Sequence, residues 1–138
     1  MSSSGKREEI TGSVSEKTEE DPLKRRRTGS LVSGRSARVV LVTVPSAQEA
    51  KRLAQGILGE KLAACVNLVP RIRSWYWWKG RVTSDPEVLM VIKTARSSLK
   101  TLHAWIRANH PYEVPEFLAL SVTHGDSTYL TWLQSSLC

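Results

Sequence analysis

The sequence predicts an α+β domain of the ferredoxin-like kind, in which two strand-helix-strand units interleave in one antiparallel sheet. Three observations carry this expectation. Hydrophobic periodicity orders the elements as strand, helix, strand, strand, helix, strand, helix over residues 37–138. Residues 61–94, KLAACVNLVPRIRSWYWWKGRVTSDPEVLMVIKT, hold two apolar runs that meet at Lys79-Gly80. They read as a hairpin whose strands far exceed the roughly five or six residues of an ordinary strand. Val, Leu and Ile also stand on both faces of those strands. Right-handed crossovers put both main helices on one face of the sheet, so the other needs a second cover. Self-association is therefore expected, of an order that these observations leave open.

Taken in order, residues 39–44 form a β-branched run ending at Pro45, a first strand. Ser46 and Glu49 then have capping-box spacing, and Ala50, Leu53, Ala54, Ile57 and Leu58 follow at helical intervals. In the hairpin, Pro70 cannot donate to a ladder and marks an edge or a bulge. Alternation sends Trp75 and Trp77 to one face of its tip, Tyr76 and Trp78 to the other. Ser97 or Ser98 opens a second helix carrying Leu99, Leu102, Trp105 and Ile106. It stops near Asn109, because His110 precedes Pro111 and is pushed out of the α region. Residues 117–122 read as a fourth strand, and Asp126 starts a short helix with Tyr129, Leu130, Trp132 and Leu133.

Residues 1–36 differ in kind. Rich in Ser, Gly, Thr, Glu, Lys and Arg and free of aromatics, they cannot offset the entropy of ordering and are expected to be a disordered tail. They show neither the apolar core of a secretory signal nor the acid-poor composition of a transit peptide. Lys24-Arg25-Arg26-Arg27 resembles a nuclear-localisation or phosphate-binding patch, and residues 25–28 a basophilic-kinase target. The chain of 138 residues carries a formal charge of +7, which a solvated basic surface accounts for. Cys65 and Cys138 are its only cysteines, one in an apolar strand and one terminal, so a structural disulfide is not expected. No apolar run reaches the roughly 18 residues of a membrane span. The cysteine usage favours a reducing compartment, so a cytoplasmic location is expected, with the basic tail leaving the nucleus open.

Several motifs resemble one family. Lys61-Leu62-Ala63-Ala64-Cys65-Val66-Asn67, Tyr76-x-Trp78-x-Gly80, Glu87 with Ile92-Lys93-Thr94, His110-Pro111-Tyr112-x-x-Pro115-Glu116 and Thr123-His124-Gly125-Asp126 are similar to the CutA divalent-ion-tolerance proteins. The resemblance covers the chain from Arg38 to Leu137 and leaves out the tail. It implies a homotrimer with sheets facing inward, a link to tolerance of copper and other divalent metals, and an architecture like that of the PII signalling trimers. It also implies a metal site built from a first-strand cysteine and two successive histidines. Carried over by position, Val42 and Asn109 replace two of these and only His110 remains, so Cu(II) or another divalent cation is expected to bind weakly.

The residues themselves suggest candidate sites. Copper and zinc want several converging imidazoles and thiolates, and His103, His110 and His124 share no local ligand spacing. His110 is the metal candidate, with Glu113 or Glu116 nearby in sequence. Lys93, Tyr112 and Glu116 are the candidates for a small-molecule ligand, since a strand end and the His-Pro-Tyr loop can meet at one sheet edge. Alternatively, Lys93 pairs with Glu116 in a contact between subunits. No phosphate loop, nucleophile elbow or local Cys-His pair points to an enzyme. The expected function is that of a homotrimeric protein of divalent-metal tolerance, the alternative a PII-like small-molecule sensor. A nucleic-acid module ranks below both. Arg71, Arg73, Lys79 and Arg81 flank the tip aromatics, but no RNP-like pattern appears, which leaves nucleic acid to the basic tail.

Overall fold

The computed structural model describes residues 29–137. Expectations for residues 1–28 and for Cys138 lie outside the described residues. The chain runs β1 (Leu31–Ser33), β2 (Ala37–Val44), α1 (Ala47–Gly59), β3 (Cys65–Trp78), β4 (Arg81–Ala95), a 3-10 turn (Arg96–Ser98), α2 (Leu99–Asn109), β5 (Leu118–Ser121), β6 (His124–Asp126) and α3 (Ser127–Ser135). The main sheet has the order β3-β4-β2-β5, with every pairing antiparallel. This is the interleaved ferredoxin-like arrangement that the element order predicts.

The two faces of the sheet differ. Val40, Val42 and Val44 of β2 and Met90 and Ile92 of β4 share one face and are fully buried beside Leu53 and Ile57 of α1 and Leu102 and Ile106 of α2. Leu41, Leu89, Val91 and Lys93 alternate to the other face, which remains partly exposed. Burying such side chains stabilises the domain by about 1.5–3 kcal/mol each, so the helical face holds the fold together. α1 and α2 pack closely at Gly56, where a Cβ would lie 2.5 Å from the Trp105 ring.

The local signals act much as their chemistry requires. Ser46 Oγ accepts from the Glu49 N–H at 3.2 Å and caps α1. The other half of the expected capping box is absent, because the Glu49 carboxylate turns to Arg52 at 2.6 Å instead. Asp126 caps α3 by accepting from the Tyr129 N–H at 3.0 Å. Lys79 and Gly80 have φ of 52° and 75°, the left-handed pair of a two-residue turn whose twist suits a hairpin. The register of edge strand β3 slips between Val69 and Ile72, with Arg71 at φ 57°, so the bulge expected at Pro70 is present.

One expectation needs correction. The expected disordered tail extends to residue 36, yet Leu31–Ser33 pairs antiparallel with His124–Asp126. Ser127 reinforces the clip: its N–H donates to the Ser30 carbonyl at 2.7 Å and its Oγ accepts from the Ser30 N–H at 2.9 Å. Composition measures what a segment can bury in a core, whereas this one is held by backbone hydrogen bonds, which any sequence can make.

Candidate functional site at the base of the hairpin

A two-residue turn at Lys79-Gly80 sets Trp78 opposite Arg81, and stepping back along both strands sets Ser74 opposite Asp85. Ser74, Tyr76, Asp85 and Glu87 therefore share one hairpin face, just beyond the last β2–β4 partners, Val44 and Val88. Glu87 is the centre. One of its carboxylate oxygens accepts from Ser74 Oγ at 2.6 Å, the other from the Tyr112 hydroxyl at 2.6 Å. The Tyr76 hydroxyl donates to Asp85.

Tyr112 reaches Glu87 because His110 holds its loop. The His110 ring lies 2.8 Å from the Thr43 carbonyl through Nε2, and its Nδ1 accepts from the Tyr112 N–H at 3.0 Å. A carbonyl only accepts, so the proton sits on Nε2 and the Nδ1 lone pair is the one used. The ring is 8% exposed, and neither nitrogen is left for a cation. The ligand role expected for His110 thus gives way to a positioning role. The two positions where the resemblance expects further ligands are also committed. Val42 is sealed in the core, and Asn109 Nδ2 donates to the Trp105 carbonyl at 2.8 Å.

Lys93 does not join Tyr112 and Glu116. Its Nζ donates to Asn67 Oδ1 at 2.5 Å and lies 4.0 Å from Cys65 Sγ. It lies six positions along β4 from Glu87, about 20 Å of extended chain. Glu113 is exposed on the loop, His124 lies in β6, and exposed His103 packs edge-on against Phe117 at 4.8 Å. The sequence does not single out Ser74 or Asp85, and it presents Tyr76 only as a tip aromatic and motif residue and Glu87 only as part of a motif. Counting outward from Lys79-Gly80 would have found all four.

The electrostatics are those of crowded acids. Burial, and then the charge of Glu87, raise the Glu116 carboxyl above its ordinary value. Burial and the bond to Glu87 push the Tyr112 hydroxyl well above its ordinary range, and the bond to Asp85 raises Tyr76. These hydroxyls are poor nucleophiles and good donors. The carboxylates concentrate negative potential, although no group of three or more His, Cys, Asp or Glu among the described residues converges to hold a metal.

Two outcomes follow. Tyr112→Phe deletes a bond to a charged acceptor and costs about 1 kcal/mol, a low value because the pair is half exposed. Glu116 binds its proton more tightly folded than unfolded, so it opposes folding increasingly as pH rises through its titration. Glu116→Gln should accordingly raise Tm at pH 7, with the difference vanishing near pH 3. Melting curves of both variants across pH test this, and a Glu116→Gln protein less stable at pH 7 would refute it.

Known proteins resemble this chain in sequence and in fold. Residues 38–136 match the family model described as CutA1 divalent ion tolerance protein. Over 98 residues the chain is 53% identical to the Oryza sativa protein named Protein CutA 1, chloroplastic; the match covers 71% of the chain but only 55% of that relative. Over 99 residues it is 46% identical to the Escherichia coli divalent-cation tolerance protein CutA, covering 72% of the chain and 88% of the relative. Among solved structures, Oryza sativa CutA1 superposes with a TM-score of 0.73 at 50% identity, covering 75% of this chain and 94% of that one. CutA from Synechococcus elongatus PCC7942 gives 0.76 at 36% identity, covering 86% and 100%. Among the described residues no helix is long and apolar enough to cross a membrane.

Proposed function

Since the chain belongs to the CutA1 divalent ion tolerance protein family, we propose that it serves divalent-cation tolerance as a homotrimer holding copper or another divalent cation weakly. Exposed apolar side chains at the hairpin tip and on edge strand β5 carry the assembly reading. Trp75 is 69% exposed, Trp77 74%, Trp78 60% and Leu118 56%. Patches of that size on a small domain mark interaction surfaces. Copies of the same chain supply the matching apolar face, as the open side of the sheet does here.

The cation reading rests on the Glu87 and Glu116 carboxylates, since burial, and then the charge of Glu87, raises the Glu116 carboxyl above its ordinary value. A divalent cation beside them would relieve that repulsion. The donor set is hard oxygen without thiolate or free imidazole, which accounts for weak binding of copper and zinc. His110 supports this site through Tyr112 without touching the cation. Calorimetric titration of Zn(II) and Cu(II) into the full chain should give a Kd on the order of micromolar or weaker. Glu116→Gln should weaken it severalfold. Protons compete for the same carboxylate, so affinity falls on acidification sooner than for an ordinary glutamate. Nanomolar binding, or binding that ignores Glu116→Gln, would sink the carboxylate site.

A further inference from the structure

At the opposite end of the sheet from the hairpin, the clip formed by β1 and β6 creates a feature that the acidic site does not use. Ser33, Arg35, Ser36, Arg96 and Ser97 line an open cleft of about 620 Å³. A second cleft, of about 380 Å³, adjoins it, shares Ser33 and Arg35, and adds Arg38 and Thr123. Cationic side chains and hydroxyls line both, and among the described residues neither lining includes a carboxylate.

The backbone brings these arginines together. The Arg96 N–H donates to the Ser36 carbonyl at 2.7 Å, tying the end of β4 to the segment that carries Arg35. Arg38 donates through Nη1 to the Arg35 and Ala37 carbonyls, at 2.7 Å each, which fixes its guanidinium beside the same segment. Among the described residues none accepts from the side chains of Arg35 or Arg96, or from Nε and Nη2 of Arg38. Three guanidiniums held near one another without a counter-charge among those residues repel, and an anion between them reverses the sign of that interaction. α2 begins just past Ser97, with no acidic residue in its first turn and no side-chain cap from Ser98. Its partial positive charge therefore adds to the same field.

We propose that this cleft binds the phosphate groups of a small phosphorylated molecule, with Arg35, Arg38 and Arg96 as the charged donors and Ser33, Ser36 and Ser97 as neutral ones. Guanidinium forks match phosphate oxygens in geometry and charge, which selects phosphate over a halide or a neutral ligand. The volume exceeds that of a single phosphate and falls within the usual range for small-ligand sites. Without the β1–β6 clip, Arg35 would have no fixed place, so ordering of this N-terminal segment completes the site.

Calorimetric titration of the full chain with pyrophosphate at low salt tests the proposal. Binding is expected in the wild type and should weaken at least about tenfold in Arg35→Gln/Arg96→Gln, given the strength of charge-assisted bonds. Tm should not fall in that variant, because neither side chain has a partner among the described residues and the substitutions relieve the repulsion between the guanidiniums. Replacing Lys24, Arg25, Arg26 and Arg27 with Ala should leave the affinity within about twofold. A parallel titration with ADP separates the sources: tighter binding than pyrophosphate identifies an organic phosphate, equal binding the bare anion. Failure of the wild type to bind pyrophosphate would overturn the proposal. So would a loss that follows the Lys24–Arg27 substitutions rather than the Arg35/Arg96 pair. Neither result depends on the homotrimer or on the carboxylate site, whose tests use other residues and other probes.

Discussion

A Trp75→Ser/Trp77→Ser variant should sediment as a monomer at micromolar concentration, where the wild type is expected to sediment as a trimer. The two indoles alternate to the same hairpin face and are 69% and 74% exposed in the isolated chain. No described residue covers them, so their removal costs the fold little. Truncating an aromatic anchor at the centre of an interface commonly costs 2 kcal/mol or more, and losing two such anchors weakens assembly by roughly two to three orders of magnitude. Because the lost contacts are apolar, the wild-type trimer should survive high salt. Analytical ultracentrifugation over a dilution series decides it. A wild-type monomer would refute the assembly, and a trimer indifferent to both substitutions would place the interface elsewhere and free the tip for another partner.

His110→Ala should lower Tm by roughly 10–20 °C, corresponding to about 2–4 kcal/mol in a domain of this size. The substitution leaves the Thr43 carbonyl and the Tyr112 N–H without partners and opens a void where a nearly buried ring sat. Tyr112 should then lose its aim at Glu87. Protection of its hydroxyl bond and near-ultraviolet dichroism of the ring both report that. A cation ligand exposed at the surface would behave oppositely, with stability kept and metal affinity abolished. That pattern, seen by differential scanning calorimetry beside a Zn(II) titration, would restore His110 as the ligand.

The contrast between His110 and Glu87 shows where sequence reading stops. His110 drew attention because imidazole binds metals and its neighbours resemble a family motif, while its actual partner, the Thr43 carbonyl, lies 67 positions away. No local pattern announces such a contact. Glu87 and Ser74 were within reach, since a hairpin with a two-residue turn obeys simple counting, and only the register had to be carried back from Lys79-Gly80. Lys93 failed for a related reason: a strand end and a loop can meet in the abstract, but six residues of rigid β4 keep this pair apart.

By itself, the sequence determined what depends on short-range chemistry and periodicity. That includes the order of strands and helices, the caps at Ser46 and Asp126, the bulge at Pro70, the stop before Pro111, the alternation of tip aromatics and the open sheet face. Each follows from one residue type acting within a few positions of itself. Tertiary structure alone decided which polar groups share an environment. It placed Tyr112 on Glu87, turned both nitrogens of His110 inward, parted Lys93 from Glu116 and recruited Leu31–Ser33 to β6 beside the arginines. Apart from the local bond between His110 and Tyr112, those choices rest on hydrogen bonds and charges whose partners are distant in the chain, and their energies appear only once the apolar core has brought the backbone together.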